Sequence, residues 1–223
     1  MTDTAGPPRR SAVKLKTARK HTPSSQRWLA RQLNDPYVAA AKAQGYRSRA
    51  AFKLAELDEK YHLIGRQSRV IDLGAAPGGW SQVALERGAA QVIGIDLLPI
   101  EPVRGALFLQ GDFTEAGMDE ALAAQLGGPA DLVLSDMAPN TTGHVATDHL
   151  RIVALADQAL AFALHHLAPG GAFVTKLFQG GAQAETLATL KRHFRAVHHA
   201  KPKASRKDSR ELYVVATGFR RHE

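Results

Sequence analysis

The chain is predicted to fold as an α/β domain around a seven-stranded, mostly parallel sheet with an antiparallel hairpin at one edge. Two observations point there. Short apolar runs alternate with helical patterns from residue 69 onward, which is how a parallel sheet covered on both faces is written. The run Arg69-Val70-Ile71-Asp72-Leu73 then feeds directly into Gly74-Ala75-Ala76-Pro77-Gly78-Gly79-Trp80, with a helical pattern opening after Gly79. A strand that delivers glycines to a helix start brings backbone N–H groups close to a nucleotide-like ligand. This is not the G-x-G-x-x-G dinucleotide pattern, because Ala76 stands where its second glycine would be.

The elements follow in order. Residues 1–24 mix Pro, Thr, Ser and basic residues without periodicity and are expected to be a mobile, basic N-terminal extension, leaving 25–223 as a single domain. From Ser25 to about Tyr61 the pattern is helical. Trp28, Leu29 and Leu33 fall on one face, Asp35-Pro36 interrupts, and Phe52, Leu54, Leu57 and Tyr61 make a second apolar stripe. Candidate strands occupy 69–73, 91–95, 106–109, 131–135, 172–177, 195–199 and 212–217. Helical patterns occupy about 80–88, 114–125, 147–167 and 182–194. The last two strands have no helix between them, so they are expected to pair as the antiparallel edge hairpin.

Composition narrows the function. At 223 residues and 44% apolar content the chain can bury a sizeable core. No run approaches the roughly 18 apolar residues of a membrane helix, and the N-terminus lacks a signal-peptide core, so a cytoplasmic protein with no membrane partner is expected. Cysteine is absent, which removes disulfides, thiolate metal sites and a cysteine nucleophile. The ten histidines include His165-His166 and His198-His199 but no H-E-x-x-H arrangement, and no metal site is expected.

The net charge of +8 sits at the ends. Arg9, Arg10, Lys14, Lys16, Arg19 and Lys20 face only Asp3 within residues 1–20. Lys201, Lys203, Arg206, Lys207, Arg210, Arg220 and Arg221 face Asp208, Glu211 and Glu223 within 201–223. Basic ends on a near-neutral body suggest phosphate contacts, with RNA or DNA as the default polyanion.

In open α/β sheets ligands sit beyond the carboxyl ends of the strands. Those ends carry Asp72 with the glycine turn, then Asp96, Gly111-Asp112, Ser135-Asp136-Met137-Ala138-Pro139-Asn140, and Lys176. Asp96 lies about twenty residues past the glycines, where an acid binds ribose hydroxyls. Asp112 can accept from an adenine amino group. Lys176 follows an apolar strand and is expected to be partly desolvated beside Asp136 on the adjacent strand. Lys53 interrupts Ala51-Phe52-Lys53-Leu54, and Glu211 leads into the last strand between Arg210 and Leu212.

Asp72–Trp80, Ser135–Asn140, Thr175–Gln179 and Ser209–Tyr213, together with Arg47–Leu54 and Asp96–Pro99, resemble the motifs of the FtsJ/RrmJ-type ribosomal RNA ribose 2′-O-methyltransferases. The resemblance runs from about Ser25 to Gly218; the basic N-terminal extension lies outside it. It implies a Rossmann-like class I fold dependent on S-adenosylmethionine. It also implies a Lys-Asp-Lys-Glu tetrad, which lands on Lys53, Asp136, Lys176 and Glu211. Cofactor contacts would fall on Gly78, Trp80, Asp96, Asp112 and Asp136. The implied reaction is 2′-O-methylation of a uridine in the peptidyl-transferase A loop of 23S rRNA within the large ribosomal subunit, by a monomer.

The chemistry of the residues agrees. A ribose 2′-hydroxyl is a poor nucleophile and needs a base near the line of attack, with the methyl group held behind it. Desolvation and the second cation, Lys53, favour a neutral amine at Lys176, whereas Asp136 opposes it and is better suited to orienting Lys176. Glu211 can hold Lys53 or the target ribose. Two alternatives stay open at this stage: ribose methylation of transfer RNA, and a non-catalytic ribosome-assembly protein that binds RNA.

Overall fold

The computed structural model describes residues 22–139, 143–179 and 184–221. The N-terminal extension before Thr22 and Asn140 of the fourth-strand motif therefore lie outside the described residues, as does the side chain of Trp28.

Three helices precede the sheet. Helix α1 (Pro23–Asn34) is capped by the Thr22 hydroxyl, which accepts from Ser25 N, and opens on a proline whose missing N–H costs nothing there. The Asp35-Pro36 interruption is the cap of α2 (Pro36–Gln44): the Asp35 carboxylate accepts from Tyr37 N at 3.0 Å. Helix α3 (Ala51–Tyr61) buries Leu54 and Leu57 of the expected stripe and leaves Phe52 and Tyr61 half-buried.

The sheet contains β1 (Arg69–Leu73), β2 (Gln91–Asp96), β3 (Ala106–Gln110), β4 (Ala130–Ser135), β5 (Leu167–Phe178), β6 (Phe194–Ala200) and β7 (Glu211–Phe219). Helices α4 (Gly79–Glu86), α5 (Met118–Leu126), α6 (Val145–His166) and α7 (Ala184–His193) alternate with them. The spatial order is β3-β2-β1-β4-β5-β7-β6. All neighbours from β3 to β5 are parallel, and β7 is antiparallel to both β5 and β6. The expected hairpin therefore exists, but its second strand inserts between β5 and its first strand, leaving β6 at the edge.

Strand residues alternate between two cores, which is why the strands read as continuous apolar runs rather than as alternating ones. Ile71, Ile93, Val133, Phe173 and Val214 face one core with α5, α6 and α7, whereas Val70, Val92, Leu134, Val174 and Val215 face the other with α3 and α4. Strand β5 begins five residues earlier than the apolar run suggests, because Leu167 already pairs with Ala130 before a register shift at Ala130/Leu132. Among the described residues no helix is long and apolar enough to cross a membrane.

The glycine turn lies between β1 and α4. Gly74, at φ +78°, passes so near β4's exit that a Cβ there would sit 2.7 Å from Met137 Cγ. Gly78 starts α4 from φ +103°, a left-handed conformation that side chains disfavour.

Candidate active site

Register assembles the site. β4 and β5 pair Ser135 with Thr175, so Asp136, just past the end of β4, comes beside Lys176, still within β5. β5 and β7 pair Lys176 with Tyr213, and Glu211 lies two residues along the same strand. Helix α3 packs in the core that also holds Tyr213, and this brings Lys53 over the ends of the strands.

The polar groups form one unbroken chain. Lys176 Nζ donates to the Asp136 carbonyl oxygen at 2.6 Å and to Asp136 Oδ1 at 2.9 Å. The Tyr213 hydroxyl donates to the same Oδ1 at 2.7 Å and accepts from Lys53 Nζ at 3.0 Å. Lys53 Nζ in turn pairs with Glu211 Oε1 at 2.8 Å. Lys53 and Lys176 are 8% and 7% exposed, and Tyr213 is wholly buried. The four residues of the expected tetrad are thus brought together, and Tyr213 links their two halves. In the sequence, Tyr213 stands out only as the last residue of the Ser209–Tyr213 motif. The period-two spacing Glu211-Leu212-Tyr213 was the signal that both side chains share one face of the strand.

Burial tends to raise the Asp136 pKa, but the Lys176 and Lys53 charges and the hydrogen bonds from Lys176 and Tyr213 outweigh it, holding the carboxyl below its usual range. Tyr213 goes the other way: burial, with the negative charges of Asp136 and Glu211, pushes its phenol well above its ordinary value, so it remains a donor. Behind the network, Asp72 on β1 is pushed up to about 7 by burial and by Asp136 and Asp96, against the opposing bond from Ser81 at 2.7 Å.

Two clefts meet at this network. A cleft of ≈580 Å³ runs along the carboxyl ends of the parallel strands and includes Ala76, Asp96, Leu98, Asp112, Phe113 and Asp136 in its lining. Asp96 Oδ2 accepts from Ala76 N at 3.0 Å and Oδ1 from Leu98 N at 2.9 Å, so this carboxylate also shapes the glycine turn. Asp112 Oδ1 accepts from Thr114 N and Oγ1, and these bonds lower its pKa. A second, polar cleft of ≈400 Å³ is lined by Gln32, Arg49, Lys53, Arg206, Ser209 and Glu211 among others. Asp35 pairs with both arginines of that cleft.

Two residues expected to contact the cofactor are not among those lining the first cleft. Trp80 is 3% exposed; its Nε1 donates to Ala50 O at 2.8 Å and its ring packs 5.7 Å from that of Tyr213. It braces the start of α3 and the tyrosine from behind. Gly78 is covered by Arg47, whose guanidinium donates to Pro77 O at 3.1 Å and Pro102 O at 2.7 Å.

The chain is 72% identical over 218 residues to the ribosomal RNA large subunit methyltransferase E of Acidiphilium cryptum, covering 98% of this chain and 97% of that one. It is 66% identical to the enzyme of the same name from Granulibacter bethesdensis, over 96% of this chain and 93% of the other. A solved ribosomal RNA methyltransferase from Plasmodium falciparum superposes with a TM-score of 0.69 at 34% identity, covering 78% of this chain and 98% of that one. The family model of the FtsJ-like methyltransferases matches residues 46–219, which span β1 to β7 and every member of the tetrad. The chain therefore belongs to the FtsJ-like methyltransferases, which use S-adenosylmethionine as methyl donor.

Proposed function

We propose that the protein 2′-O-methylates a ribose in RNA, at a uridine of the 23S rRNA A loop in the large ribosomal subunit, acting as a cytoplasmic monomer. One observation carries this reading. The lysine–carboxylate network lies between the two clefts, with Asp136 lining one while Lys53 and Glu211 line the other. A methyl donor and a nucleotide could therefore approach the same few atoms from opposite sides.

The first cleft fits S-adenosylmethionine. It lies where α/β sheets bind such ligands, and its apolar walls, Leu98 and Phe113, suit a flat base. Asp96 retains lone pairs for ribose hydroxyls beyond the two backbone bonds it accepts. Asp112 stands beside it for the base, and the Asp136 carboxylate at the inner end complements a sulfonium charge. When bound, the cofactor supplies an electrophilic methyl group.

Lys176 is the base in this scheme. A neutral amine has two N–H donors and one lone pair; the Asp136 carbonyl and carboxylate oxygens take both donors and so direct the lone pair. As the 2′-oxygen attacks, its proton passes to Lys176 Nζ, where Asp136 stabilises the ammonium that forms. Tyr213 keeps Asp136 in place and ties it to Lys53, while Glu211 fixes Lys53 at the floor of the polar cleft. Arg49 and Arg206 line that cleft and suit an RNA phosphate.

Incubation with tritiated S-adenosylmethionine and, separately, 23S rRNA, assembled large subunits and transfer RNA tests the reading. The expected product is a large-subunit RNA carrying label that resists removal of the bases and blocks alkaline cleavage at one uridine. Label that leaves with a base, or that appears only in transfer RNA, would refute it.

A further inference from the structure

The end of the sheet opposite the candidate active site gathers cations that the reaction does not use. Helix α7 finishes with Lys191-Arg192-His193, β6 begins Phe194-Arg195, and β7 runs out into Arg220-Arg221. Phe194 pairs with Phe219, so these segments, far apart in the chain, share one edge of the molecule. Arg220 knots them together. Its backbone N–H donates to His193 O at 2.7 Å, and its guanidinium donates to Phe194 O at 2.8 Å and Lys191 O at 3.4 Å. Arg195 lies across Gly218: a Cβ on that glycine would come within 2.9 Å of Arg195 Cβ and 3.7 Å of its Nε.

Lys191, Arg195, Arg220 and Arg221 are all exposed, and among the described residues none pairs with a carboxylate. Some cations elsewhere, such as Arg49, Lys53, Arg69, Arg87, Lys176 and Arg206, have an acidic partner; this edge is set apart because its unpaired cations lie together on three adjoining segments. A helix C-terminus attracts cations, and that accounts for Arg220 and in part for Lys191. It does not account for Arg195 and Arg221, which lie on and beyond strands. Uncompensated like charges so close together repel one another, a cost that a polyanion would relieve.

We propose that this edge is a second RNA-backbone site, binding phosphates of the same large RNA whose ribose enters the active site. The proposal rests on the reaction assigned above. The eight steps of β7 from Glu211 to Phe219, at ~3.3 Å each, separate the two sites by roughly 26 Å. One flipped nucleotide cannot span that distance, whereas a folded rRNA or an assembled subunit can. The edge would thus discriminate large substrates from small ones without touching a base.

The test is the variant Lys191→Gln/Arg195→Gln/Arg221→Gln, which spares Arg220 because it holds backbone carbonyls. Binding is measured against full-length 23S rRNA and against a short stem-loop carrying the target ribose, across a salt series. On the long RNA the log–log salt slope should become shallower by roughly two units, at about 0.7–0.9 per lost phosphate contact, with at least a tenfold loss of affinity at low salt. Stem-loop binding and the melting temperature should not move. An unchanged slope on the long RNA would overturn the proposal and make the edge a solvated helix end. Equal losses on both RNAs would overturn it too, by showing a diffuse field rather than a distant contact. If the parent protein methylates neither RNA, the assigned reaction fails, and the binding slopes still decide this site.

Discussion

Replacing Tyr213 by phenylalanine deletes one oxygen and keeps the buried ring that packs against Trp80. That oxygen accepts from Lys53 Nζ at 3.0 Å and donates to Asp136 Oδ1 at 2.7 Å, so Tyr213→Phe cuts the network into two separate ion pairs, Lys53–Glu211 and Lys176–Asp136. A hydrogen bond to a charged group contributes about 1.5–3 kcal/mol. At about 1.4 kcal/mol per factor of ten, loss of the bond that orients Asp136 should slow methylation roughly ten- to a hundredfold. Single-turnover transfer from tritiated S-adenosylmethionine reads the effect. A variant within twofold of the parent would show that the tyrosine only fills space.

Three further outcomes are expected. Lys176→Arg keeps a cation but no neutral amine, so it should retain cofactor binding and lose roughly 10²–10⁴-fold in single-turnover rate; arginine near the parent rate would reduce Lys176 to an electrostatic anchor. Asp96→Ala removes the bonds to Ala76 N and Leu98 N together with the proposed acceptor for the cofactor ribose, and calorimetry should find S-adenosylmethionine bound about ten- to a hundredfold more weakly. Asp72, with a folded-state pKa raised to about 7 from an ordinary 3.8, adds stability that is fully present below about pH 4 and is lost as pH rises through about 7. The melting temperature of Asp72→Asn should therefore gain on the parent's between pH 5 and 8; a pH-independent difference would mean that Asp72 ionises without penalty.

Much of this protein can be read along the chain because the physics there is local. Apolar runs buried on both faces mark the strands, Asp35-Pro36 marks a capped helix start, and Gly74 and Gly78 mark a turn that side chains would obstruct. Asp96, Asp112, Asp136 and Lys176 announce themselves by lying at or near the carboxyl ends of strands, since a sheet aligns such ends whatever the loops between them do. Boundaries were less legible. Leu167 joins β5 through a pairing with Ala130, a partner 37 positions earlier that no local window contains.

What only the tertiary structure decided is which of these groups meet. Antiparallel insertion of β7 beside β5 sets Tyr213 against Lys176, and the packing of α3 onto that same face carries Lys53 across 160 positions to the tyrosine hydroxyl. The same packing turns Trp80 away from the cleft and onto Ala50 O, although its place in the glycine turn suggests a ligand contact. The physical reason is that sequence patterning records how much each residue gains from burial, whereas hydrogen bonds depend on ångström distances set by strand register and helix packing. Residue types along the chain thus determine the fold and the inventory of acids and bases, and three-dimensional pairing determines which of them act together.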